Sequence, residues 1–109
     1  MKPVLLHSLA QQEIREAVEY YNDARDGLGD EFADEVEAAI ARIGRQPKAS
    51  APYGNGYRKC VFSKRFPYVI FYVEYEDHVW VTSVHHTSRE PDTWMVRNPD
   101  NGTDEQPTA

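Results

Sequence analysis

Residues 57–86 read YRKCVFSKRFPYVIFYVEYEDHVWVTSVHH, and this stretch decides the fold. It holds three runs dense in β-branched and aromatic residues, which are YRKCVF, YVIFYVEY and VWVTSVH. Only SKRFP separates the first run from the second, and only EDH separates the second from the third. Because gaps this short join antiparallel neighbours, the stretch predicts three strands in an antiparallel meander.

Two amphipathic helices are predicted before the strands. The first begins at Ser8, which forms a capping-box pattern with Gln11 three residues later. The sequence RDGLGD interrupts the pattern, and Gly44 and Pro47 end the second helix. Each helix carries one apolar stripe at helical spacing, made of Ile14, Ala17, Val18 and Tyr21 in the first and Leu28, Phe32, Val36, Ala39, Ile40 and Ile43 in the second. A helical hairpin of this kind needs an apolar surface beneath it.

The remaining segments complete an α+β order of β-α-α-β-β-β. VLLH at residues 4–7 predicts a first short strand, and ASAPYGNG at residues 49–56 predicts a loop. The helical hairpin should pack on one face of a small antiparallel sheet within a single domain, residues 1–97. Residues 98–109 have no apolar periodicity, so we expect a disordered polar tail.

Composition places the chain among small cytoplasmic proteins. It has 109 residues, no apolar run of membrane-spanning length and one cysteine, Cys60, which excludes an internal disulfide. The N-terminus has no signal-peptide pattern. The net charge of −6 argues against a protein that binds free nucleic acid. Ten of the eighteen acids lie between Glu13 and Glu37, whereas residues 38–73 hold seven of the twelve bases and no acid.

With these elements in place, the sequence resembles the RelE/ParE superfamily of toxins from type II toxin–antitoxin modules, and more closely its ParE-like branch. The resemblance rests on the element order, on RFPYVIFY at residues 65–72 and on VxxVHHTSREPDTWxxR at residues 81–97. It implies a cytoplasmic, plasmid-stabilisation type of toxin, without a cofactor, that a cognate antitoxin wraps and neutralises. Superfamily members either block DNA gyrase or cut messenger RNA on the ribosome.

RNA cleavage by attack of the 2′-hydroxyl group needs a base, an acid and a cation for the charge on phosphorus. On the pattern of the RelE-like nucleases, this sequence keeps a basic residue at Arg58 only. Other residues stand where that pattern has basic residues or a tyrosine, namely Cys60, Val69, Thr87 and Thr93. A nuclease would therefore depend on His85 or His86, together with Arg58 and Arg89.

The two histidines are weak evidence for either catalysis or a metal site. As neighbours on a strand, His85 and His86 should turn to opposite faces of the sheet. A chelating pair on a strand needs i, i+2 spacing, and His7 and His78 are far away in the sequence. We therefore predict no metal site.

A binding function is the first hypothesis, with DNA gyrase as the target. The residues expected to contact the target or the antitoxin are Arg58, Lys64, Arg65, Arg89, Trp94 and Arg97. All of them except Arg97 have a structural alternative: the bases of residues 58–65 would protect a strand edge, Arg89 would pair with an acid, and Trp94 would cap the core. The competing hypotheses are the messenger RNA endonuclease and a non-toxic relic that only binds an antitoxin.

Overall fold

The computed structural model describes residues 1–88 of the chain. Within them lie two helices and five strands: β1 (Val4–Leu6), α1 (Ser8–Ala24), α2 (Leu28–Arg45), β2 (Ala51–Gly54), β3 (Tyr57–Val61), β4 (Tyr68–Glu74) and β5 (Val79–His86). The predicted α+β class and the helical hairpin packed against a sheet are confirmed. The predictions for Arg89, Trp94 and Arg97 and for the tail at residues 98–109 lie outside the described residues.

The five strands form one sheet in the order β1-β5-β4-β3-β2. The predicted meander is confirmed, because β3, β4 and β5 pair as antiparallel neighbours. The sheet is mixed and not wholly antiparallel, because β1 runs parallel to β5 with Val4 opposite Val79. The helical hairpin between β1 and the later strands carries the chain back far enough to permit this parallel pair.

The prediction of a loop at residues 49–56 is wrong in part, because these residues include the strand β2. This strand pairs with β3 through a turn at Asn55 and Gly56, whose φ angles are 53° and 83°. Positive φ at both positions is typical of the two-residue hairpin turns that Asn-Gly favours. All four residues of β2 are exposed, so the strand lacks the apolar alternation by which the sequence revealed the others.

The predicted capping box at the start of α1 is wrong in its detail. The N-cap residue is His7, whose Nδ1 accepts a hydrogen bond from the Leu9 N–H at 3.0 Å. The Gln11 side chain does reach back, but it donates to the Leu6 carbonyl at 3.2 Å. An imidazole nitrogen thus performs the role assigned to the Ser8 hydroxyl, since both can accept from the free N–H groups of the first turn.

The two helices pack closely at Gly29. A Cβ atom at this position would lie 2.1 Å from the carbonyl oxygen of Val18, closer than any real contact. The Gly29 N–H donates to Asn22 Oδ1 at 2.8 Å, which holds the start of α2 against α1. The hairpin buries Phe32 against the sheet. Separately, the Tyr72 hydroxyl of β4 donates a hydrogen bond to the carbonyl of Pro47, which follows α2.

A β-bulge at Thr82 determines which side chains of β5 face the helices. Tyr72 lies opposite Val81 and Phe71 lies opposite Ser83, so Thr82 is an extra residue on β5. Val81 and Val84 consequently both belong to the core beneath the helices. Without the bulge, a period of two would send Ser83 and His85 to that side instead.

Candidate functional site

A cleft of about 620 Å³ opens between α1, the start of β4 and the end of β5. We call it the α1–β5 cleft. Its lining comes from these elements and the residues next to them: Glu13, Glu16, Ala17, Tyr20, Tyr21, Pro67, Tyr68, Val84, His85, His86 and Ser88. Among residues 1–88, the lining contains two carboxylates, those of Glu13 and Glu16, and no lysine or arginine.

The two histidines face opposite sides of the sheet. The His86 ring lies edge-on to Tyr68 at 5.3 Å between centroids, on the side of the helices. The His85 ring lies 5.6 Å from Phe71, on the other side, and the residue is buried. Because of the bulge, the imidazole that packs on the helix side with Tyr68 belongs to His86.

The hydrogen bonds of His86 fix its tautomer. Its Nδ1 accepts from the Ser88 N–H at 3.0 Å and lies 2.7 Å from the Ser88 hydroxyl oxygen. A neutral ring that accepts at Nδ1 carries its proton on Nε2. His86 can therefore donate a hydrogen bond through Nε2, whereas the nitrogen that could act as a base is already occupied.

Glu13 connects α1 to the end of β5. Its Oε1 accepts from the Val84 N–H at 3.0 Å and from the Ser83 hydroxyl at 3.3 Å. The Ser83 hydroxyl lies 3.0 Å from His85 Nδ1, so a chain of polar contacts runs from the helix to the buried histidine. This chain is structural, because it satisfies a strand N–H and two buried side chains.

Aromatic rings form one wall of the cleft. Tyr20 contacts Tyr21 at 5.3 Å between centroids, and Tyr21 contacts Tyr68 at 6.2 Å. Burial, with a smaller effect from Tyr20, raises the pKa of Tyr21 above 10.0, so its hydroxyl stays protonated at neutral pH. The wall offers ring faces and neutral hydroxyl groups beside the two carboxylates.

The predicted basic residues Lys64 and Arg65 lie on the turn between β3 and β4. Ser63 Oγ accepts from the N–H groups of Arg65 and Phe66 at 3.0 and 3.1 Å, and Phe66 is buried. The turn is therefore held rigidly. Arg65 pairs with Glu31 of α2 at 2.7 Å and stays about half exposed, and Lys64 is exposed.

Arg58 has a structural role that the sequence did not reveal. Its guanidinium donates to the carbonyl oxygens of Ser50 and Lys48 at 2.7 and 3.3 Å, which fastens the segment before β2 to β3. Arg58 of β3 lies opposite Tyr72 on one side of β4, whereas His86 of β5 lies opposite Tyr68 on the other side, four residues earlier in β4. Strand spacing places Arg58 and His86 roughly 16 Å apart, so the structure does not bring them together.

The remaining candidates form no further site among the described residues. Arg89, Trp94 and Arg97 lie outside residues 1–88. No group of three histidine, cysteine or acidic side chains within residues 1–88 is placed to hold a metal ion. Cys60 is buried in the core beneath the helices.

Sequence reasoning missed the carboxylates and tyrosines of the cleft. Helical periodicity places Glu13, Glu16 and Glu19 alike on the face of α1 away from its apolar stripe, and it gives no reason to separate the first two from the third. The spacing of Ser83 and His85, i and i+2 on one strand, was the available signal for the polar contact beneath the cleft.

The helical hairpin, the parallel β1 and the antiparallel meander define an α+β protein of the RelE/ParE-like fold. Residues 4–91 match the family described as the ParE toxin of the type II toxin–antitoxin system parDE. The chain belongs to this toxin family, which confirms the resemblance seen in the sequence and implies a cognate antitoxin as partner. No curated protein matches the chain significantly. Neither helix within residues 1–88 is long and apolar enough to cross a membrane.

Proposed function

We propose that this protein is a type II toxin that acts by binding a protein target, DNA gyrase, and not by cutting RNA. The observation that carries the proposal is the separation of Arg58 from His86. A cation that stabilises charge on phosphorus must lie within contact distance of the reacting group. Arg58 is instead held by two carbonyl oxygens on the far side of β4.

The sign of the charge beside His86 supports the same proposal. Glu13 and Glu16 line the α1–β5 cleft with His86, and both repel a phosphate backbone. The Nδ1 of His86 accepts from Ser88, so the ring has no free nitrogen for removing a proton from a 2′-hydroxyl group. A binding function needs neither of these groups.

The β3–β4 turn is the proposed contact with gyrase. It presents Lys64 and Arg65 on a backbone fixed by Ser63, with Val61 68% exposed beside it. A rigid turn loses little conformational freedom on binding, and an exposed apolar residue next to two cations suits a protein surface of opposite charge. Arg89, Trp94 and Arg97 are proposed to contribute from the sequence that follows β5.

The antitoxin is proposed to bind with an amphipathic segment across the exposed face of β2 and β3. Tyr53 and Val61 are exposed there, and Lys59 Nζ lies 5.8 Å from the centre of the Tyr53 ring. Apolar residues bordered by a cation fit an amphipathic segment whose polar face is acidic.

One observation favours the endonuclease as a second candidate. His86 carries its proton on Nε2 next to Tyr68 in an open cleft, and a hydrogen-bond donor in this position could stabilise the charge that develops on phosphorus. The acid and the base would then have to come from the ribosome, and the phosphate-binding cation from the ribosome or from Arg89.

Inducible expression tests the proposal when gyrase supercoiling and transcript integrity are measured in the same cells. We expect growth to stop, plasmids to lose supercoils and transcripts to stay intact. The double variant Lys64→Ala/Arg65→Ala should weaken gyrase inhibition by at least about tenfold, whereas Arg45→Ala, an exposed base on α2, should not. Cleaved transcripts with normal supercoiling would establish the endonuclease, and normal growth would establish the relic.

A further inference from the structure

The two neighbouring bases of the β3–β4 turn have different surroundings. Arg65 Nη2 lies 2.7 Å from Glu31 Oε1, and Arg65 Nη1 lies 3.7 Å from Glu35 Oε2. Lys64 is exposed and pairs with no acidic side chain of residues 1–88. The charge of Arg65 is therefore balanced by α2, whereas the charge of Lys64 is available to a partner.

Two carboxylates of α2 hold Arg65. Glu31 and Glu35 are four residues apart on the helix, so both point toward the turn from the same face. The hydrogen bond from Arg65 holds the pKa of the Glu31 carboxyl below its ordinary value of 4.5, so this group is charged at neutral pH. A planar guanidinium with several N–H donors can reach two carboxylates at once. Arg65 thus connects the turn to α2.

Phe66 fixes the same turn from below. Its ring is buried and lies 4.9 Å from the ring of Tyr21 and 5.2 Å from that of Phe32, measured between centroids. The guanidinium carbon of Arg65 lies 4.8 Å from the centre of the Phe66 ring. Arg65 is consequently held by a ring beneath it as well as by the carboxylates beside it.

Lys64 lies between two residues that are both engaged. Ser63 Oγ accepts hydrogen bonds from the backbone N–H groups of Arg65 and Phe66, and the Arg65 side chain contacts α2. The backbone on either side of Lys64 is therefore fixed, and its ammonium group projects from a defined position. Val61, 68% exposed at the end of β3, provides an apolar contact nearby.

We propose that Lys64 contacts an acidic group of the target and that Arg65 is a positioning residue. Arg65 acts through the carboxylates of Glu31 and Glu35, which hold the turn against α2. A turn that is already ordered loses less conformational freedom when a partner binds. This inference rests on the proposed function in naming gyrase as the target, but the positioning role of Arg65 can be tested without gyrase.

Two alternatives give different results. An exposed ion pair often contributes nothing measurable, in which case Arg65 would be a surface residue without a role. Arg65 would otherwise leave Glu31 to bind the target itself, and the acids of α2 would then compete with the target. The first alternative predicts no effect of removing the carboxylates, and the second predicts stronger inhibition of gyrase.

Hydrogen exchange measured by nuclear magnetic resonance on the intact protein tests the positioning role. The reporter is the Phe66 N–H, which donates to Ser63 Oγ at 3.1 Å. We expect Arg65→Ala and Glu31→Gln/Glu35→Gln each to speed its exchange about two- to fivefold, the range that a surface ion pair allows. Lys64→Ala and the exposed control Glu37→Gln should leave it unchanged. Unchanged exchange in Glu31→Gln/Glu35→Gln would overturn the positioning role.

A supercoiling assay with purified gyrase tests the contact made by Lys64. Lys64→Ala should raise the half-inhibitory concentration at least about fivefold while leaving urea denaturation unchanged. Lys64→Arg keeps the charge and should stay within about twofold of the natural protein. Inhibition by Lys64→Ala equal to that of the natural protein would overturn the contact.

A double-mutant cycle in the same assay separates positioning from direct contact. Arg65→Ala and Glu31→Gln/Glu35→Gln should each raise the half-inhibitory concentration about two- to fivefold. Their combination should be no worse than either alone, because both break the same connection between the turn and α2. Stronger inhibition by Glu31→Gln/Glu35→Gln would show that α2 competes for Arg65, and additive losses would show that Arg65 touches gyrase. Either result would overturn the proposal.

The two measurements show which proposal fails. If the natural protein inhibits gyrase but Lys64→Ala and the Phe66 exchange rates are normal, this inference is wrong and the toxin function stands. If the natural protein leaves supercoiling unchanged, the gyrase proposal falls and the contact assigned to Lys64 falls with it. The exchange rates then still decide whether Arg65 holds the turn.

Discussion

The carboxylate of Glu13 accepts a hydrogen bond from the Val84 N–H at 3.0 Å and thereby joins the middle of α1 to the end of β5. The pair is 71 residues apart in the chain and closes an edge that β1 is too short to cover.

Removing this carboxylate should destabilise the protein. Glu13→Ala leaves the Val84 N–H and the Ser83 hydroxyl without this acceptor, which should lower the free energy of unfolding by about 1–3 kcal/mol. Glu13→Gln keeps an oxygen in place and should lose less. Urea denaturation measures both, with Glu37→Ala as the exposed control expected to stay within about 0.5 kcal/mol of the natural protein. Equal loss in Glu13→Ala and Glu37→Ala would show that the bond contributes nothing.

Gly29 should not tolerate a side chain. In Gly29→Ala the new Cβ would lie 2.1 Å from the Val18 carbonyl oxygen, so α2 must move away from α1, with a loss of at least about 2 kcal/mol. Gly27→Ala makes a useful comparison, because it meets no atom within 4 Å but has a φ of 85°. Backbone strain alone should make it lose about 1 kcal/mol. If thermal denaturation finds Gly29→Ala as stable as Gly27→Ala, close helix packing is not the reason for this glycine.

Acid should weaken the fold in part through Glu74. Hydrogen bonds from Lys2 and then Lys48, both at 2.7 Å, hold the pKa of the Glu74 carboxyl below its ordinary value of 4.5. Because the folded pKa is lower than the unfolded one, this stabilisation is complete above about pH 4.5 and is lost as pH falls through the folded pKa. Unfolding measured between about pH 6 and pH 3 should show a shallower decline in Glu74→Gln than in the natural protein. Glu37→Gln should follow the natural curve, and a Glu74→Gln curve parallel to it would contradict the assignment.

The sequence predicted the parts of the fold that periodicity controls. Both helices and the meander were found because their apolar residues recur at 3.6 or 2 residues. β2 was missed because all four of its residues are exposed, and the only signal was the turn formed by Asn55 and Gly56. The direction of β1 was not predictable, since three residues that pair with β5 read the same in either orientation.

The site was less predictable than the fold because it depends on lengths and register. No residue pattern in the run VWVTSVHH indicates the bulge at Thr82. This bulge nevertheless places His86 beside Tyr68 on the helix side of the sheet. Glu13 has its role because β1 ends before β5 does, and no local pattern records a relation between two strands whose paired residues are 75 positions apart. The pairing of Arg65 with Glu31 likewise depends on how the β3–β4 turn meets α2.

Substitution of the two histidines should have different effects, and the difference distinguishes a toxin that binds gyrase from an endonuclease. His85 is 5% exposed and contacts Ser83 and Phe71, so His85→Ala should lower the free energy of unfolding by about 2–3 kcal/mol and reduce toxicity through instability. His86 is only partly buried, and His86→Ala should cost less than about 1 kcal/mol. A protein that acts by binding gyrase should keep its toxicity and its loss of supercoiling in His86→Ala. Urea denaturation, growth curves and transcript integrity measured together check this outcome. A stable His86→Ala protein that no longer stops growth, when the natural protein cleaves transcripts, would make His86 a catalytic residue of an endonuclease.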